Sequence, residues 1–204
     1  DDQSYRSEVP SILSEDQCQP TLRDRPGTEI VKVGIVGFRT GLDQSTAVDD
    51  QFVLTARFTP DQDWEGRLAK RIPFERVMES AYVSGVEITS KETDGAKGPE
   101  VTTSIETSMF AVGLGGFIEI EKTSDEYLMH LKYRDVVLKG IYDVTVRGDD
   151  GEKYTVQSPE IANRSYDAHQ AFSPEPGIFS EVHPGAAGRQ LLVQRCWFEV
   201  PGVD

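Results

Sequence analysis

The sequence predicts a mainly β protein: an antiparallel β-sandwich or partly open barrel with one or two short helices around residues 61–81. Apolar and polar residues alternate with period two in many segments, which places one face of each segment on a core and the other in water. Turn residues separate these segments. About ten strand candidates against one or two short helices favour a sandwich or barrel.

The clearest alternation lies between residues 109 and 157. Consecutive strands are predicted there, closing in a hairpin: Met109–Leu114, Phe117–Glu121, Tyr127–Tyr133, Ile141–Arg147 and Tyr154–Gln157. Asp149-Asp150-Gly151 lies between the last two strands. An Asp-Gly pair supplies the positive φ that tight hairpins need, so a turn is predicted at this point.

The segments on either side of this region also have strand patterns. Glu29–Arg39 is β-branched and apolar on both faces, which predicts a central strand. Gly34 and Gly37 interrupt it and indicate a bulge or the close approach of another backbone. Further strands are predicted at Gln51–Thr59, Val83–Ser90, Val101–Thr107 and Leu191–Val200.

Helical spacing occurs in the segment Pro60–Ser80. Trp64, Leu68 and Ile72 are spaced by four, and apolar residues continue after Pro73. Pro73 should end one short helix or begin the next.

The chain of 204 residues is long enough to bury a full core. Residues 1–28 are polar and broken by proline and glycine, which predicts a flexible N-terminal tail or tether, and residues 29–204 are predicted to form a single β-rich domain. No stretch approaches the ~20 apolar residues that span a bilayer. The chain begins at Asp1 without a leader, so we expect a soluble fragment of a processed precursor, with a possible lipid anchor upstream of residue 1.

The charge of the chain restricts its partners. There are 35 acidic against 21 basic residues, a formal net charge of -14. A field of that sign repels nucleic acids and anionic membranes and favours basic protein partners or cationic ligands. Solubility alone is the alternative explanation.

The two cysteines lie near opposite ends of the chain, at Cys18 and Cys196. A disulfide between them is predicted, and loop-closure entropy gives it at most roughly 5 kcal/mol. Such a bond indicates an extracytoplasmic location, either periplasmic or secreted. The alternative is two buried free thiols in a cytosolic protein.

One acidic stretch is a candidate calcium site. Asp61, Asp63 and Glu65 alternate before Gly66, as oxygen ligands do in the first half of a calcium loop. Ile72 stands where the bidentate glutamate is expected. The alternative is that Asp61 caps a helix. No other cofactor is predicted.

Residues 158–188 are predicted to form a long irregular loop, because they contain four prolines and a Gly-Ala-Ala-Gly run. Loops of this length are often functional. Their aromatic residues either fold onto the core or anchor a partner. The binding residues predicted here are Tyr166, His169, Phe172, Phe179 and His183.

The histidines offer a second interpretation of the same loop. With Asp167, Glu175 and Glu181, His169 and His183 would suit a divalent metal or a general base, although no paired-histidine motif supports this. His130 lies on a predicted strand and is expected to face solvent or a partner.

These observations favour a non-enzymatic, extracytoplasmic binding protein that recognises a basic protein through its acidic surface and the 158–188 loop. An inhibitor or immunity protein fits, and so does a subunit of a cell-envelope assembly. The alternatives are a hydrolase with its site in that loop and a calcium- or carbohydrate-binding β domain.

Overall fold

A computed structural model of the protein describes residues 10–41, 46–61, 68–91, 100–148 and 151–202. Most of these residues belong to strands. The strands are, in chain order, β1 (Glu29–Thr40), β2 (Thr46–Phe58), β3 (Leu68–Lys91), β4 (Glu100–Lys122), β5 (Tyr127–Arg147), β6 (Lys153–Phe172), β7 (Ile178–Pro184) and β8 (Gln190–Glu199). Two short 3₁₀ turns occur at Glu15–Cys18 and Ala186–Gly188.

The strands form two antiparallel four-stranded sheets, which within the described ranges do not close into a barrel. The first sheet has the order β2-β1-β8-β7 and the second the order β3-β4-β5-β6. The predicted antiparallel β-sandwich is therefore confirmed. The strands at the sheet edges are β2 and β7 in the first sheet and β3 and β6 in the second.

β1 is the central strand that its apolar sequence predicts. It pairs with β2 on one side and β8 on the other, and eight of its twelve residues are buried. The register with β2 shifts between Gly37 and Phe38, which is the predicted bulge. A Cβ atom on Gly34 would lie 2.3 Å from a methyl carbon of Ile12, so glycine here lets the N-terminal segment pack closely.

The chain divides into two compact units, and the long strands β3 to β6 contribute to both. Unit 1 comprises residues 1–76, 114–135 and 163–204. Its core lies between the two sheets and is built by Val31, Val33, Ile35, Phe74, Leu114, Ile118, Ile120, Tyr127, Met129, Leu131, Leu191 and Val193, among others. These side chains come from both sheets, so unit 1 is a sandwich in the usual sense.

Unit 2 comprises residues 77–113 and 136–162, which are segments of the second sheet only. Among its described residues Val137 is the one that is buried. The backbone N–H of Val83 on β3 donates to Oε1 of Gln157 on β6 at 3.1 Å. The side chain of Gln157 therefore reaches from one edge strand of the sheet to the other in this unit.

The prediction of helix around residues 61–81 is wrong for the part that the structure describes, because β3 begins at Leu68. Residues four apart also share a face in a strand, and Leu68, Ile72 and Phe74 pack on the core in this way. Pro73 is exposed on β3. It is tolerated because an edge strand does not need every N–H for the ladder.

The prediction of an irregular loop at 158–188 is also wrong, because β6 continues to Phe172 and β7 follows from Ile178. The inward positions of β6 include Ala162, Ala168 and Gln170, which are too small or too polar to give a clear apolar alternation. The prolines in this segment did not exclude strands, since β6 and β7 both lie at sheet edges.

Cys18 and Cys196 form the predicted disulfide, with their Cα atoms 6.1 Å apart. The bond fixes the N-terminal segment to β8 on the face opposite the main core, where Ile12 and Leu13 are also buried. The backbone N–H groups of these two residues donate to Oε1 of Gln194 at 2.8 and 3.0 Å. Residues 1–9 lie outside the described ranges, and the boundary of a tail at residue 28 stays a prediction.

No helix within the described ranges is long and apolar enough to cross a membrane.

Candidate functional site

Three potential metal ligands or acid–base groups meet on the outer face of the second sheet. His130 on β5 and Asp167 and His169 on β6 each bring one ligand atom within 4.8 Å of the others. His130 Nε2 lies 2.8 Å from Asp167 Oδ1, and the imidazole rings of His130 and His169 stack with centroids 4.0 Å apart. We call these three residues the histidine–aspartate cluster.

The cluster ends a row of side chains that crosses all four strands of the sheet. The guanidinium of Arg71 on β3 lies 3.6 Å above the ring of Phe117 on β4. The edge of Phe117 then meets the His130 ring at 5.1 Å and 90°. Cation–π and edge-to-face contacts of this kind fix ring orientation, so His130 is held in place from one side.

Asp167 carries the negative charge of the cluster. Its Oδ2 accepts a hydrogen bond from Lys132 Nζ at 3.0 Å, while Oδ1 faces His130. The hydrogen bonds from Lys132 and then from His130 lower the pKa of this carboxyl. Asp167 is therefore ionised at neutral pH and available as an oxygen ligand.

A groove of about 230 Å³ lies between β6 and β7, which are edge strands of different sheets. Its lining combines apolar side chains from the core with polar ones from the two edges: Met129, Leu131, Tyr166, Ala168, His169, Gln170, Glu181 and His183. Gln170 Nε2 donates to Glu181 across the groove. Gln170 Oε1 is buried without a hydrogen-bond partner among the described residues.

His183 is the half-buried titratable group of this groove. Its ring lies 4.7 Å from the ring of Tyr166, and its Nε2 lies 3.6 Å from Glu181 Oε2. Burial lowers the pKa of His183, and the attraction of Glu181 opposes this only in part. The imidazole is therefore neutral at pH 7 and can accept a proton.

The structure brings some of the predicted binding residues together and separates others. Tyr166, His169 and His183 line the same groove. Phe172 is buried in the core, stacked on a tyrosine at 5.3 Å. Phe179 is 37% exposed, lies 4.7 Å from the guanidinium of Arg195 and does not line the groove.

Comparison of the chain with protein-family models, with curated proteins and with solved structures finds no match. The function therefore has to be inferred from the side chains themselves.

Of the three candidate calcium ligands, the structure describes Asp61, whereas Asp63 and Glu65 lie outside the described ranges. Asp61 Oδ2 accepts a hydrogen bond from Arg25 at 2.6 Å. This bond lowers the pKa of Asp61. An arginine occupies one carboxylate oxygen that calcium would use, and the calcium site stays a prediction.

The sequence did not identify the exposed apolar side chains of unit 2. They are Val77, Met78, Ile88, Ile105, Met109, Ile141, Tyr142, Val144, Val146 and Ile161. Tyr142, Val144 and Val146 alternate with polar residues, which predicts that these three side chains lie on a core. All three are exposed instead. In unit 1 the second sheet packs on the first, whereas unit 2 consists of the second sheet alone. No local feature of the sequence indicates this difference.

Proposed function

We propose that the protein is a non-enzymatic binding protein that captures a basic protein partner on unit 2. The observation that carries the proposal is the concentration of large, exposed apolar side chains on this unit. Met78, Ile105 and Met109 expose 66%, 65% and 61% of their surface. Scattered exposed apolar residues are ordinary, but a concentration on one unit is typical of an interaction surface.

The charge of unit 2 supports a basic partner. Residues 77–113 and 136–162 carry eleven acidic side chains against five basic ones, a formal net charge of −6. A second copy of the chain would bring the same sign of charge, which costs free energy at an interface. Apolar anchors on a unit of net negative charge instead suit a partner that offers apolar residues within a basic patch.

The disulfide between Cys18 and Cys196 supports an extracytoplasmic setting, because such bonds persist in oxidising compartments. Within that setting we propose either an inhibitor or immunity protein that covers a basic protein, or a subunit of a cell-envelope assembly. The partner of the first kind is a soluble toxin or enzyme, and that of the second is a neighbouring subunit. A lipid anchor upstream of residue 1 stays a prediction.

Photo-crosslinking tests the proposal. A benzoylphenylalanine is placed at Met109 on unit 2 and, as the matched control, at Val53, a 45% exposed apolar residue of β2 in unit 1. Both proteins are irradiated in extracts of the source cells. We expect position 109 to crosslink to one protein of basic pI, with a yield that falls as salt is raised, and position 53 to give no such product.

Three outcomes would count against the proposal. They are equal crosslinking from both positions, an acidic partner, or crosslinks between copies of this chain. Two further variants make the same comparison without a crosslinking probe. The double variant Met78→Gln/Ile105→Thr should no longer bind the partner, whereas the control Val53→Thr should still bind it.

The groove between β6 and β7 favours a second candidate function, hydrolysis. A neutral His183 beside Glu181 is arranged as a general base would be. A panel of ester, amide and phosphoester substrates tests this. Turnover that is lost in His183→Gln and retained in His130→Gln would favour the hydrolase over the binding protein.

A further inference from the structure

We infer that the histidine–aspartate cluster binds a divalent transition-metal ion of the zinc class. This site is independent of unit 2 and goes beyond the proposed function. His130, Asp167 and His169 lie on the adjacent strands β5 and β6, with ligand atoms within 4.8 Å of one another. Adjacent strands of a sheet hold their backbones at fixed spacing, so the ligands need only side-chain movement to converge.

The ligand set selects the class of metal. Two imidazoles and one carboxylate suit Zn²⁺ and its neighbours in the first transition row, whereas Ca²⁺ and Mg²⁺ prefer oxygen ligands alone. The cluster supplies three protein ligands and leaves a fourth position for water or a further ligand, as open zinc sites do.

One of the three distances between ligand atoms is already close to the value that coordination requires. A tetrahedral Zn²⁺ with bonds of about 2.0–2.1 Å places its ligand atoms roughly 3.3 Å apart. His130 Nε2 and Asp167 Oδ1 are already 2.8 Å apart, joined by a hydrogen bond. Zn²⁺ would take the place of the proton in this hydrogen bond, which would move to Nδ1 of His130 or be released to solvent, and the two groups would move slightly apart. His169 must turn about its side-chain torsions, since parallel stacked rings do not aim at one position, and its exposure permits this.

Neighbouring side chains orient the proposed ligands, as residues in contact with the ligands do at known metal sites. Lys132 donates to Asp167 Oδ2 and leaves Oδ1 directed towards His130. Phe117 fixes the other side of the His130 ring. Partners of this kind commonly set the direction of ligating groups. The net charge of -14 also raises the concentration of cations near the protein.

Calorimetric titration with ZnCl₂ tests the site in the untagged full chain with its disulfide intact, after treatment with EDTA, at pH 7.5. We expect one Zn²⁺ per chain. His169→Gln and Asp167→Asn should each weaken binding at least tenfold, since each removes one of three ligands. His183→Gln is the matched control, because it removes the histidine outside the cluster, and it should bind as the wild type does.

The three histidines also allow a direct spectroscopic readout. Imidazole ¹⁵N resonances of His130 and His169 should shift on addition of Zn²⁺, while those of His183 should not. Calcium at the same concentration should shift none of them. The inference is overturned if the wild type binds no Zn²⁺ below 1 mM, if His183→Gln weakens binding as much as His169→Gln, or if the resonances of His183 respond first. Failure here would leave the crosslinking result of unit 2 unaffected.

Discussion

Replacing Arg189 with methionine should destabilise unit 1 more than the replacement of any exposed charged residue does. Arg189 is 5% exposed and Asp135 is fully buried. The guanidinium donates to both oxygens of Asp135, at 3.2 and 2.5 Å, and to Asp50 at 2.8 Å. A Cβ on Gly37 would lie 3.3 Å from the guanidinium carbon, so the absence of a side chain there makes room for it.

The magnitude follows from the charges left behind. Removing one partner of a buried ion pair typically costs about 3–5 kcal/mol, because the remaining charge is desolvated and uncompensated. Arg189→Met leaves two buried carboxylates, Asp135 and Asp50, so we expect the free energy of unfolding to fall by about this amount. Arg39→Met is the matched control. Arg39 pairs with Asp49 at 3.2 Å but its side chain is 45% exposed, and such pairs contribute at most about 1 kcal/mol.

Urea denaturation at pH 7 with the disulfide intact measures the difference. The measurement uses a Trp64→Phe background, so that the fluorescence reports Trp197 on β8 in unit 1. Adding Asp135→Asn to Arg189→Met should recover part of the loss, since the amide oxygen can still accept the N–H of Ala186 without a charge. An Arg189→Met protein within 1 kcal/mol of the Arg39→Met protein would refute the reasoning.

Three further predictions follow from single contacts. Replacing Cys18 and Cys196 with serine should lower the free energy of unfolding by up to about 5 kcal/mol, because a link across 178 residues restricts the unfolded chain; the denatured, unreduced wild type should show no free thiol. Gly116→Ala should lower the free energy of unfolding by at least about 2 kcal/mol in urea denaturation, since its Cβ would lie 2.1 Å from a carbonyl oxygen of β5. Gly202→Ala is the control and should leave this free energy unchanged, because no atom lies within 4 Å of its Cβ. Because burial lowers the pKa of His183 in the folded state, the unfolded chain binds a proton at this residue more readily. The free energy of unfolding should therefore fall as the pH drops below about 6.5. The acid slope of a urea midpoint against pH should therefore be shallower in His183→Gln, and an unchanged slope would contradict the assignment.

Much of the fold could be predicted from local sequence. Period-two alternation correctly indicated strand in the central region, and an apolar run on both faces identified β1 as central. The predicted breaks were wrong: Met109–Leu114 and Phe117–Glu121 both lie in β4, and Tyr127–Tyr133 and Ile141–Arg147 both lie in β5. These patterns are reliable because each strand that borders a core must satisfy them by itself. The disulfide could be predicted from two cysteines near the ends of the chain, although only the structure brings them together.

The candidate sites depended on contacts between distant parts of the chain. His130 and His169 are 39 positions apart, and the sequence contains no spacing that joins them; the pairing of β5 with β6 does so. Arg189 and Asp135 are likewise separated in the sequence, and their burial is set by the packing of two sheets.

The sequence by itself determined that the chain forms antiparallel strands with an acidic surface and one disulfide, because composition, alternation and cysteine count are local or additive properties. The tertiary structure decided which strands lie at the edges, and so why residues 68–81 and 158–172 are strands despite their prolines. It also decided that the first sheet covers the second in unit 1 and that ten large apolar side chains among the described residues of unit 2 are exposed. Burial is a property of the whole packing, so similar alternation produces a core in one unit and exposed apolar side chains in the other.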